Sequence, residues 1–76
     1  MKSAKERRRR VLIYPDPESD YWIAECPSLP GCFSQGESRE QALANIRDAI
    51  VLYLEVLEED GRAVPEEHYE TVMVSV

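Results

Sequence analysis

The sequence predicts one small α+β domain in the order β-β-β-α-β, a four-stranded mixed sheet of spatial order 3-2-1-4 with one helix packed on one face. Three observations predict it. Short β-prone runs separated by turn signals fill residues 11–35. Apolar residues then recur at three- and four-residue steps between Ser38 and Gly61. An alternating valine run closes the chain.

The first strand is Val11-Leu12-Ile13-Tyr14, a β-prone run behind four arginines. Pro15 to Asp20 is a loop by composition. Tyr21 to Cys26 forms the second strand, and a connection this short suits an antiparallel hairpin. Pro27 ends it, and Pro30-Gly31 turns the chain into a third strand, Cys32 to Gln35, which Gly36 breaks.

Ser38 stands at a helix N-cap, with Gln41 three residues later to return a bond. Ala42, Leu43, Ile46, Ala49, Ile50, Tyr53, Leu54 and Leu57 make the apolar stripe of an amphipathic helix over roughly Arg39 to Asp60. Gly61 and Pro65 stop it. Such a helix is about 33 Å long and overhangs strands of about 20 Å. Leu52 and Val56 lie one turn apart, off the main stripe, and are candidates for an oligomer interface.

Residues 62–69 read as a polar connector and Glu70 to Val76 as a fourth strand, its valines alternating with Thr71, Met73 and Ser75. The second strand is already paired on both sides, so the fourth falls beside the first, parallel to it after a right-handed crossover. One sheet face then has no second layer within the chain and is either solvated or buried against another copy.

The 76 residues carry a formal net charge of −6 that is unevenly spread. Residues 1–10 hold six basic residues against Glu6, a net +5, and read as a basic N-terminal arm, disordered or leading into the first strand. Residues 11–76 are the domain, with three arginines against fourteen acids, a net −11. An acidic body repels nucleic acid and favours encounter with basic proteins. The arginines read as an arm that touches nucleic acid, as an edge decoration, or as a dock for the acidic helix end, and their lack of interleaved aromatics speaks against single-strand stacking. A chain this small buries about 60% of its unfolded surface, which makes oligomerisation or a partner a natural expectation. No apolar run reaches transmembrane length and no export signal is visible, so a cytoplasmic protein is expected. Cys26 and Cys32 flank the turn closely enough for a hairpin disulfide, but that setting favours free thiols.

No catalytic constellation emerges. The one histidine, His68, lies in the connector, and three glycines at 31, 36 and 61 form no phosphate loop. A metal-dependent nuclease needs acids converging from adjacent strands, and the first strand has none. No catalytic residue, metal or cofactor is expected. The acids gather instead in the loop, at Asp16, Glu18 and Asp20, and near the helix end, at Glu55, Glu58, Glu59 and Asp60.

The run from Tyr21 to Ser38, containing Pro27-Ser28-Leu29-Pro30-Gly31-Cys32 and Ser34-Gln35-Gly36, continues into Glu40-Gln41-Ala42-Leu43-Ala44-Asn45-Ile46-Arg47-Asp48-Ala49-Ile50. It resembles the HicB-like antitoxin family, with Gln41 and Asp48 at two positions usually held by Glu. The resemblance implies a partial ribonuclease-H-like fold that has lost its nuclease acids, and a homodimer or homotetramer. It implies a type II toxin–antitoxin role, neutralising a small basic HicA-type toxin that cleaves mRNA. The seven acids named above are then candidates to imitate an RNA backbone. Many members carry a C-terminal DNA-binding domain; the sequence stops after the fourth strand, so direct DNA binding is not expected. The alternative is an orphan homo-oligomer with a regulatory or structural role, and a weak nuclease stands behind that.

Overall fold

The structure is a computed structural model that describes residues 8–76. Three strands, β1 (Leu12–Pro15), β2 (Trp22–Glu25) and β3 (Phe33–Gly36), form an antiparallel sheet in the order β1-β2-β3, and the helix α1 (Arg39–Glu59) follows. The expected adjacency of the first three strands is met, each strand ending within two residues of its expected bounds. Pro15 has no N–H to give and closes β1 at the sheet edge. Of the expected arm over residues 1–10, residues 1–7 lie outside the described residues.

Alternation along each strand sorts the side chains. Trp22, Ala24 and Cys26 face the helix, as do Val11 and Ile13, and Ala24 is fully buried. Leu12, Tyr14, Ile23, Glu25 and Phe33 share the other face, where Leu12 pairs with Glu25 and Glu25 with Phe33. Among the described residues nothing is layered over that face, and Phe33 is 67% exposed.

Two fused turns join β2 to β3. The Cys26 carbonyl accepts from the Leu29 N–H at 3.1 Å, and the Leu29 carbonyl accepts from the Cys32 N–H at 3.0 Å. Pro30 and Gly31 are the central residues of the second turn, and Gly31 has φ 78, as a type II turn requires. The Cys26 N–H donates to the Cys32 carbonyl at 2.9 Å and closes the loop. This geometry drives Leu29 into complete burial beside Cys26, Cys32, Ala42 and Ile46.

The helix starts and stops on local chemistry. Ser38 is extended (φ −137, ψ 165), and its Oγ accepts from the Gln41 N–H at 3.0 Å. Gln41 Oε1 reaches one residue further back than a capping box would, accepting from the Glu37 N–H at 2.6 Å. At the other end Gly61 has φ 67, its N–H donates to the Glu58 carbonyl, and the Arg62 N–H donates to Leu57. This pair of bonds is the Schellman arrangement. Twenty-one residues make a helix about 32 Å long, far beyond four-residue strands of about 13 Å.

The expected fourth strand is not formed: residues 70–76 make no ladder, and Val72, Met73, Val74 and Val76 are exposed. The reason lies in the connector. Glu67 accepts from the Arg10 N–H at 2.8 Å and from the Ser28 hydroxyl at 2.7 Å. Glu67 is thereby held at the end of the sheet, between the residues that lead into β1 and those that follow β2. Without a backbone partner, an isolated strand has nothing to offset its ordering entropy.

Gly36 closes β3 where the helix crosses it. A Cβ there would lie 2.5 Å from the Ala42 nitrogen and 2.8 Å from the Gln41 carbonyl carbon, both backbone atoms that cannot swing aside. Gly36→Ala is expected to cost about 1–3 kcal/mol, as overpacking does. Urea unfolding followed by circular dichroism checks it, and an unchanged midpoint would show that the helix start is not seated on β3 as described.

Candidate functional site

The loop acids do not stand free as a group. Asp16 is the loop's organiser: its carboxylate accepts from the Glu18 N–H at 3.0 Å and the Ser19 hydroxyl at 2.8 Å, and its own N–H donates to the Tyr21 carbonyl at 2.8 Å. The Glu18 N–H first, then the Ser19 hydroxyl, hold the Asp16 carboxyl below its ordinary pKa. Glu18 and Asp20 are exposed.

Glu55, Glu58, Glu59 and Asp60 are exposed around the helix end, and no base occupies the last turn. Negative charge there opposes the helix dipole. The two acidic groups are not brought together. Pro15 pairs with Trp22 and Trp22 with Gly36, and Gly36 touches the helix start, so α1 begins at the sheet end that carries Asp16, Glu18 and Asp20. It runs to the opposite end, where the Tyr53 hydroxyl donates to the Pro30 carbonyl at 2.9 Å, and overhangs it. A helix length of about 30 Å therefore separates the groups. The molecule has two acidic poles rather than one acidic face.

Leu52 and Val56 are 62% and 44% exposed. They share a helix flank with Asn45, seven and eleven residues on, and the Asn45 side-chain amide donates to the Gln35 carbonyl of β3 at 2.8 Å. These two candidates therefore flank β3. On the opposite flank, beside β1, a groove of about 450 Å³ is lined by Arg9, Val11, Leu43, Ile46, Ile50 and Leu54.

A cluster that the sequence does not reveal lies at the foot of β1. The Arg9 side chain is only 3% exposed. Its Nη1 donates to Ser28 Oγ at 3.1 Å, and the Ser28 hydroxyl in turn donates to Glu67. Arg9 and Glu67 themselves stand 3.9 Å apart, so the hydroxyl carries the tighter contacts. Among the described residues of the arginine run, Arg9 and Arg10 meet Glu67 of the connector, while Arg7 lies outside the described residues. The signal was nearly absent from the sequence, because a buried arginine inside an arginine run looks like its neighbours.

Cys26 and Cys32 are buried free thiols opposite one another, and burial pushes the Cys32 thiol up in pKa, with Cys26 adding to it. On the open sheet face the Tyr14 hydroxyl donates to Glu25, which raises the Tyr14 pKa. Among the described residues no three His, Cys, Asp or Glu side chains are placed to hold a metal ion. No helix among them is long and apolar enough to cross a membrane.

Fold and surface together define a minimal β-β-β-α domain whose signature is the Pro-x-Leu-Pro-Gly-Cys double turn. The profile of the HicB-like antitoxin of bacterial toxin–antitoxin systems matches residues 10–74, and the chain belongs to that family. A UPF0150 protein of Thermoplasma acidophilum is 39% identical over 64 residues, covering 84% of this chain and 91% of that protein. A UPF0150 protein of Synechocystis is 50% identical over 57 residues, covering 75% of this chain and 71% of that protein. The protein named Antitoxin HicB 1 of Photorhabdus laumondii is 33% identical over 61 residues, 80% of this chain but 39% of its own length. No solved structure matches the chain at a significant level.

The Asp16 geometry sets a pH dependence. The donors hold the ionised carboxylate, so Asp16 favours the folded state above its unfolded pKa, and that contribution fades as pH falls through the lowered folded value. An NMR titration is expected to place the Asp16 midpoint below that of an unstructured peptide, and Asp16→Ala to flatten the acid limb of the stability profile. An unshifted midpoint would mean that the carboxylate does not organise the loop.

Proposed function

We propose that this protein is a non-catalytic antitoxin of a type II toxin–antitoxin system, acting in the cytoplasm to bind and mask a small basic HicA-type mRNA ribonuclease. The observation that carries the reading is the family match, which spans residues 10–74. The relative named Antitoxin HicB 1 supports it. Charge supports it too, since residues 11–76 hold fourteen acids against three arginines. In this reading Glu55, Glu58, Glu59 and Asp60 present one RNA-like run of carboxylates, and Glu18 and Asp20 present a second, with Asp16 shaping its loop. Electrostatic encounter of this kind speeds association and weakens with salt. Leu52 and Val56 join copies into a homodimer or homotetramer, and a fourth strand completes a partial ribonuclease-H-like sheet.

The exposed sheet face, with Leu12, Tyr14 and Phe33 uncovered, favours a second reading: a homo-oligomer of regulatory or structural role without a toxin.

Calorimetry against a HicA-type ribonuclease, sought first among the genes adjacent to this one, separates the two. Binding that weakens with salt is expected. Reversing one pole, with Glu55→Lys and Glu59→Lys or with Glu18→Lys and Asp20→Lys, is expected to raise Kd at least about tenfold, a cost of about 1.4 kcal/mol. No binding at low salt would overturn the antitoxin reading, and full binding by both reversals would overturn the role of the acids.

A further inference from the structure

Three parts of the described chain lack partners, and they fit one another. The outer edge of β1 pairs with nothing, since β2 takes only its inner edge. Beside that edge lies the groove of about 450 Å³ floored by Val11, Leu43, Ile46, Ile50 and Leu54, with the Arg47 side chain at its lining as well. Arg9 lines it too, 97% buried by side chain, and its Nε–H has no acceptor. The third part is residues 70–76, which make no hydrogen bond to any described residue and leave Val72 and Val74 72% and 76% exposed.

We infer that residues 70–76 of one copy add to the β1 edge of a second copy as its fourth strand, seating Val72, Val74 and Val76 in the groove. Strand addition supplies what each part lacks. The ladder satisfies the β1 edge and the segment's own backbone groups, which are costly to bury unpaired. Backbone carbonyls of the added strand are the acceptors within reach of a donor such as the Arg9 Nε–H. Alternation does the sorting: the valines face the helix side, while Thr71, Met73 and Ser75 face the open side beside Leu12 and Tyr14. Seven extended residues span about 23 Å, enough to cover β1 and the Arg9–Val11 lead into it.

The other edge is a poorer acceptor. The Asn45 amide already occupies the Gln35 carbonyl of β3, and the helix start presses on Gly36. The segment's own β1 is also poorly placed for it. Glu67 is held between Arg10 and Ser28, and beyond it residues 70–76 run past without a ladder to their own β1. Two-fold exchange closes the assembly as a dimer with both edges filled. This is the exchange of a terminal element between copies, and it needs no toxin.

The test uses the full chain. A one-to-one mixture of carbon-13-labelled and unlabelled copies is prepared for isotope-filtered NMR, with sedimentation in parallel. A dimer is expected, with cross-peaks between copies linking the Val72 and Val74 methyls to those of Ile50 and Leu54. Val74→Asp places a charge in the seated strand and is expected to raise the dimer dissociation constant at least about tenfold. Val74 is exposed in the single chain, so circular dichroism of that variant is expected to keep the full helix signal. A monomer, contacts from the valines to the groove within one copy only, or a dimer indifferent to Val74→Asp would each overturn the exchange.

Discussion

Complete burial of Leu29 is the constraint on which the rest of this structure depends. A β2–β3 connection of ordinary hairpin type would leave its tip in solvent. Here two turns are fused, each closed by one backbone bond, and together they fold the tip back under the helix. Proline supplies the first φ of the second turn and glycine the positive second one, so little entropy remains to be lost on folding. The helix is then fixed at both ends of the sheet, by Gly36 at its start and by Tyr53 on Pro30 further along. Substituting a smaller side chain at 29 would open a cavity beside Cys26, Cys32, Ala42 and Ile46, so this one position joins sheet, turn and helix.

Most of this was legible in the residues. Pro30-Gly31, Ser38 with Gln41, and Gly61 carry local signals whose energetics do not depend on distant partners, and the turn, the cap and the stop all form where those signals stand. The apolar period of the helix was equally plain, because a stripe every three to four residues has one economical use. Gly36 was read only as a strand breaker. Its tighter role, giving the helix backbone room to touch β3, depends on a crossing that no local pattern encodes.

What failed did so for the same physical reason. Strand formation is a property of pairs, and the alternating valines of residues 70–76 announce a suitable strand without announcing a partner. Topological reasoning supplied β1 as that partner by elimination. It could not see that Glu67 would be captured by Arg10 and Ser28 and that the residues beyond would form no ladder with β1. The acids tell a parallel story. Two runs rich in Asp and Glu suggest one surface only if the elements that carry them converge. The helix runs the length of the molecule and separates them, and Asp16 is spent largely on its own loop.

The separation has a consequence for how such a small domain works as a binding scaffold. Charge repulsion within an acidic body of this size is reduced when the carboxylates sit at two poles about a helix length apart, beyond the Debye length of about 8 Å at physiological salt. The flanks of the helix between the poles carry apolar side chains, Leu52 and Val56 beside β3 and Leu43, Ile50 and Leu54 of the groove beside β1, where Arg47 joins them. Under the proposed function, a basic partner engages a pole by charge while copies of this chain meet along a flank by burial. The two kinds of contact respond oppositely to salt, because screening weakens the first, and the second rests on apolar area that salt does not screen. A domain with one sheet, one helix and no second layer can thus serve two partners without asking either surface to do both tasks.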